Sequence, residues 1–139
     1  MMLKVLIQQP VLKNYRTPIF NLLAKSYELS IVHGGTDSKS QASFKSLHKH
    51  QYSIGPFVFQ NFLNIANKFD IVVTEANLRH LFTNFILCFF PRKFKWIIWG
   101  IGVSASYNKK FGSDKRLDIL RFFLAKRADA VILYSSKPL

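Results

Sequence analysis

Short apolar runs alternate with stretches of helical periodicity along most of the chain. Lys4 to Gln8 (KVLIQ) is a continuous apolar run, the form taken by parallel strands buried on both faces. Thr17 then offers a helix cap and Pro18 a first helical position, and Ile19, Phe20, Leu23, Ala24 and Tyr27 recur at helical spacing. Leu29 to His33 (LSIVH) predicts a second strand, stopped by Gly34 and Gly35. Thr36 to Gln51 is polar, basic and aperiodic and reads as a mobile loop, while Tyr52 to Phe59 predicts a third strand that Gly55 and Pro56 make irregular or an edge.

Asp70 to Glu75 (DIVVTE) predicts a buried strand, and Asn77 caps a helix whose Leu78, Leu81, Phe82, Phe85, Ile86 and Phe89 share one face. Pro91 ends that helix. Phe94 to Trp99 is the next strand, Asp114 caps a helix reaching Arg127, and Ala130 to Tyr134 is the last strand. Such alternation predicts a Rossmann-like open parallel α/β sheet with helices on both faces and right-handed crossovers. Ligands of these sheets bind beyond the carboxyl ends of the strands. The candidate positions are therefore Gln8 to Tyr15, His33 to Gly35, Glu75 to Asn77, Gly100 to Ser104 and Tyr134 to Ser136.

The 139 residues suit one domain, and 49% hydrophobic and 15% aromatic residues give enough apolar material for a core, which excludes a disordered segment. Twenty Lys and Arg against seven Asp and Glu leave a formal charge of +13, which favours anionic partners without choosing among nucleic acid, anionic lipid and phosphorylated substrates. The single Cys88 excludes an internal disulfide and, within an apolar helical pattern, reads as a core thiol. No signal peptide is expected from the first residues, and the apolar blocks Leu81 to Phe90 and Trp96 to Val103 fall short of the ~20 residues that span a bilayer.

Gly100, Gly102 and Ala105 spell G-x-G-x-x-A, but after a late strand. Tyr107 to Gly112 separates them from the next helix, and no carboxylate ends the following strand, so the spelling does not predict a dinucleotide site. Gly100 and Gly102 either serve a strand that needs close backbone approach or, with Ser104, border a ligand cleft. Glu75, a carboxylate ending an apolar strand, either pairs with Arg79 four residues on or recognises a substrate hydroxyl. His48 and His50 lack nearby acidic or thiol partners and read as solvated loop residues, not a metal site; no catalytic triad can be assembled.

On a helical wheel from Lys115 to Arg127, Leu117, Leu120 and Leu124 form the face that covers the sheet. Ile119, Phe122 and Phe123 fall opposite, beside Lys115, Arg116 and Lys126, in a stretch from Arg92 to Arg127 that has ten Lys and Arg against two Asp. A cation-ringed apolar face away from the core suggests an anionic membrane surface or a second protein surface. Nucleic acid fits less well, since no recognition motif accompanies the charge.

Taken together and in order, KVLIQQPVLKNYRTPIFNLLAKSYELSIVHGG, FDIVVTEANLRHL, KWIIWGIGVS and RADAVILYSSK resemble the N-terminal half of family 4 type glycosyltransferases of the GT-B fold. The resemblance covers Lys4 to Lys137 apart from Thr36 to Gln51. It implies an acceptor-binding domain facing a C-terminal domain that binds a nucleotide sugar as donor substrate, with no other cofactor and no metal. It further implies that Pro10 to Arg16 forms a loop at the cleft, where Tyr15 and Arg16 match the family's usual Tyr-Arg pair, and that Glu75, Asn77, Arg79, Gly100, Gly102 and Ser104 line the cleft wall. Two departures stand out. Ile101 replaces the histidine of the family's Gly-His-Gly turn, and the sequence ends at Leu139 where relatives continue into the donor domain, so an acceptor half inactive without a C-terminal partner is expected. The expected acceptor is a glycan or lipid-linked molecule and the expected location cytoplasmic, peripheral to a membrane; the competing expectation is a basic α/β module that binds nucleic acid or another polyanion.

Overall fold

Six strands form one parallel sheet: β1 (Lys4–Gln9), β2 (Glu28–His33), β3 (Lys45–His48), β6 (Ile71–Glu75), β7 (Lys95–Gly100) and β8 (Ala130–Leu133). A separate antiparallel hairpin joins β4 (Gln51–Ile54) to β5 (Phe57–Gln60). The helices are α1 (Thr17–Leu23), α2 (Leu63–Ala66), α3 (Leu81–Phe89) and α4 (Lys115–Arg127), with 3-10 turns at Asn14–Arg16 and Leu78–His80. This computed structural model describes residues 2–35, 42–76, 78–100 and 115–133.

The order across the sheet is β3-β2-β1-β6-β7-β8. This is the doubly wound order, and its reversal point falls between β1 and β6, the position at which sheets of this order open a crevice at the strands' carboxyl ends. Alternate residues of each strand feed two cores. Leu6, Val32, Val72, Trp96 and Ile98 face α2, α3 and α4, whereas Val5, Ile7, Leu29, Ile31 and Val73 face Phe20 of α1 and Phe44. The helices thus lie on both faces, as the alternation predicted. The opposite edge is pinned by two aspartates: the Lys4 amide donates to Asp70 Oδ2 (2.8 Å) and the Trp96 amide to Asp129 Oδ2 (2.7 Å).

Two sequence expectations are corrected. The third strand of the sheet is Lys45–His48, inside the stretch read as a loop, because a short edge strand whose single apolar residue, Leu47, packs on the core leaves no apolar run to read. Tyr52 to Phe59 is instead a hairpin turning at Gly55, whose φ of 58° suits glycine. In α3 the buried residues are Thr83, Asn84 and Leu87, while Phe82, Phe85, Ile86 and Phe89 share one exposed face that points away from the sheet.

In α4, Leu124 is buried and Ile119 and Phe122 are exposed, as the wheel indicated, with Arg116 and Lys126 exposed beside them and Lys115 opening the helix. Phe123 departs from that reading. It is half-buried against the core and tilts over Phe85 at 6.2 Å between ring centroids, because α4 packs beside α3 on that flank. Cys88 is half-buried against the same core, its thiol pushed above the ordinary value by burial while Arg127 and Arg92 pull the other way, consistent with an unreactive thiol.

Candidate functional site

The crevice between β1 and β6 is built from the first residues after β1 and the last residue of β6. The chain leaves β1 through Pro10 and re-enters helical geometry in the Asn14–Arg16 turn, which brings Arg16 back over the strand end. There one guanidinium nitrogen, Nη1, donates to Glu75 Oε1 at 2.7 Å and also to Gln9 Oε1. The guanidinium lies 5.3 Å from the ring centroid of Trp99 and 5.6 Å from that of Tyr15. Arg16 and Glu75 keep side-chain exposures of only 18% and 15%, so the pair is shielded yet reachable from the crevice, while Tyr15 is exposed. A shielded charge-assisted bond of this kind is roughly twice as strong as a neutral one.

Beneath the pair lies a buried layer of neutral polar groups. Gln8 Nε2 donates to Gln60 Oε1 (3.2 Å) and lies 3.4 Å from His80 Nδ1; Gln60 Nε2 donates to the Lys49 carbonyl (3.0 Å). Because an amide nitrogen only donates, His80 Nδ1 accepts and its proton sits on Nε2. Burial, and secondarily the charge of Arg79, lowers the His80 pKa to about 4, so the imidazole is neutral at physiological pH. Asn84 Nδ2 donates to the Glu75 carbonyl (3.0 Å), and the Gln60 amide to Thr83 Oγ1 (3.4 Å). These bonds explain why Thr83 and Asn84 of α3 point inward beside Leu87: β5 and β6 present backbone groups there that need partners.

Glu75 therefore holds a partner that its local sequence did not suggest, Arg16, 59 residues away. Arg79 is exposed in the Leu78–His80 turn, not inside a helix, since α3 starts only at Leu81 and its cap position is His80. Gly100 ends β7 where the Ala76 amide donates to the Trp99 carbonyl at 2.8 Å, and a Cβ added there would stand 2.6 Å from the Ala76 Cβ. Close backbone approach accounts for this glycine. Asn77, Gly102, Ser104, Ile101 and the segment Tyr134 to Ser136 lie outside the described residues.

The two histidines of LHKHQ go separate ways: His48 ends β3 with its ring 5.9 Å from that of His33, and His50 meets Tyr52 edge-on at 4.7 Å. Among the described residues no cluster of three or more His, Cys, Asp or Glu is arranged to hold a metal ion. Nor, among them, is any helix long and apolar enough to cross a membrane.

Of the positions read from the sequence, Gln8, Gln9, Tyr15, Arg16 and Glu75 come together here, whereas Gln60, His80, Asn84 and Trp99 were not among them. The signal available for the glutamines was their place at the end of an apolar strand, where a buried amide must find a partner. Compared with models of known protein families, the chain has no match, and no curated protein matches it either.

Proposed function

We propose that this chain is the acceptor-binding half of a glycosyltransferase, presenting a glycan or lipid-linked acceptor to a nucleotide sugar held by a second α/β domain in the same or another polypeptide. The observation that carries the reading is the Arg16–Glu75 pair at the reversal point of the sheet, flanked by the rings of Trp99 and Tyr15. Sugars are recognised by this kind of surface, since a carboxylate and a guanidinium bond to neighbouring hydroxyls while an aromatic ring covers an apolar face of the pyranose. In this role Glu75 accepts from an acceptor hydroxyl and Arg16 donates to one, and the glutamine layer below fixes the strand ends that carry them. Neutral His80 stiffens that layer and supplies no proton at physiological pH.

Sugar transfer requires an acceptor hydroxyl held against the donor's anomeric carbon, and positioning of that kind needs both halves of the cleft. The location that follows is the cytoplasm, peripheral to the membrane that bears a lipid-linked acceptor.

Amide chemical shifts of the 139-residue chain, titrated with oligosaccharides and short-chain lipid-linked saccharides, test the reading. The expected result is saturable perturbation of residues 8–16, 75–76 and 99–100, lost in Arg16→Ala and weakened about tenfold in Glu75→Gln, the effect of losing one charged hydrogen bond. Perturbation of these amides by oligonucleotides with none by saccharides would overturn it in favour of a polyanion-binding module. Transfer of sugar from nucleotide sugars by the chain alone would overturn the division of labour.

A further inference from the structure

We propose that the outward faces of α3 and α4 together form a docking surface for an anionic lipid bilayer, with both helices lying in the plane of the interface. The surface joins Phe82, Phe85, Ile86 and Phe89 of α3 to Ile119 and Phe122 of α4, with Phe89 and Phe122 exposed to 62% and 68%. Phe85 bridges the helices by contacts with Phe89 (5.2 Å) and the half-buried Phe123 (6.2 Å). At the amino end of α3, Phe57 of the hairpin packs edge-on against Phe82 at 5.0 Å and extends the aromatic surface.

The helix α3 is apolar on both sides: Leu81, Leu87 and Cys88 pack against the core beside buried Thr83 and Asn84, while Phe82, Phe85, Ile86 and Phe89 point outward, a pattern that an ordinary solvated helix does not use. The surroundings choose the partner. The α3 segment contains no charged residue, whereas α4 contains five Lys and Arg against one Asp. The Arg127 guanidinium lies 5.8 Å from the Phe89 ring and 5.4 Å from the Phe123 ring, and Arg116 and Lys126 are exposed on the same helix. Rings that enter the acyl boundary while cations on long stems reach phosphate headgroups are the arrangement by which interfacial helices bind anionic membranes. The charge of the whole chain, +13, adds long-range attraction to such a surface.

This inference stands on surface chemistry and not on the sugar-binding reading; loss of saccharide binding leaves it intact. Co-sedimentation of the full chain with vesicles of phosphatidylcholine, alone or mixed with phosphatidylglycerol, tests it at low salt. Binding to the anionic vesicles is expected to exceed that to neutral ones at least about tenfold. The double variant Phe89→Asp, Phe122→Asp is expected to reduce it by about tenfold or more, and Lys126→Glu with Arg127→Glu to remove most of the preference for anionic lipid. Leu22→Asp, at an exposed apolar site on α1 across the sheet, is expected to leave binding unchanged. A Phe122→Trp variant gives a second readout that does not depend on a charged side chain at the site: brominated acyl chains should quench its added fluorescence. Failure to bind anionic vesicles, or binding that survives the double Asp variant, would overturn the proposal. Self-association abolished by that variant without any vesicle binding would overturn it and assign the face to a second copy of the chain.

Discussion

His80 accepts a hydrogen bond from Gln8 only while its imidazole is neutral, and this gives the glutamine layer a pH limit. Its pKa falls from the ordinary 6.5 to about 4 in the folded protein, so between these values the unfolded chain binds more protons than the folded one. Stability therefore rises with pH through the window from 4 to 6.5 and levels off above it. The loss on acidification across that window should approach about 3 kcal/mol from this residue alone. Urea unfolding of the native chain and of His80→Gln checks it: the variant should lack that part of the pH slope, and parallel curves would refute the coupling. At this scale the sequence is informative only where one residue violates its surroundings. Glu75 was legible as a lone carboxylate at the end of an apolar strand. Its partner was not, since Arg16 lies 59 positions away and only the fold brings them to 2.7 Å.

Among elements, the buried strands were legible because a parallel strand covered on both faces is a run of apolar residues, as in β1, β2, β6 and β7. Polar β3 has no such mark; its membership of the sheet comes from backbone pairing with β2 over Ser30 to His33. Periodicity also correctly grouped Phe82, Phe85, Ile86 and Phe89 on one side of α3, yet it cannot say which side faces the sheet. That choice was made by Gln60, Glu75 and their neighbours, whose polar groups drew Thr83 and Asn84 inward. The strands should differ in stability in the same terms. The central β1 pairs with β2 on one side and β6 on the other, with Val5 to Gln9 all buried, whereas β8 among the described residues pairs only with β7 and its Val131 and Ile132 are 42% and 48% exposed. Native-state amide exchange should find residues 130–133 opening locally, with protection at least about a hundredfold below that of residues 5–8. Equal protection would mean that β8 opens only with the whole domain.

For the molecule as a whole the dominant physical fact is its charge, +13 on 139 residues. Compaction holds these charges closer than the unfolded chain does, so self-repulsion destabilises the folded state and is relieved when salt shortens the screening length from about 30 Å at 0.01 M to about 8 Å at 0.15 M. Local ion pairs act in the opposite direction; among the described residues Arg16–Glu75 is shielded from screening, while the contacts of Asp129 with half-buried Arg92 and exposed Lys95 are long, at 3.9 and 4.0 Å. Net repulsion should win. The melting temperature is expected to rise by about 3 to 6 °C over that salt range, the size of a gain of about 1 to 2 kcal/mol in a domain of this length. Attraction to anionic vesicles has the same origin and the opposite sign, and should weaken over the same titration. Measured together by calorimetry and co-sedimentation, the two trends should cross. A melting temperature that falls with salt would show that specific pairs, and not the overall field, govern this protein's stability.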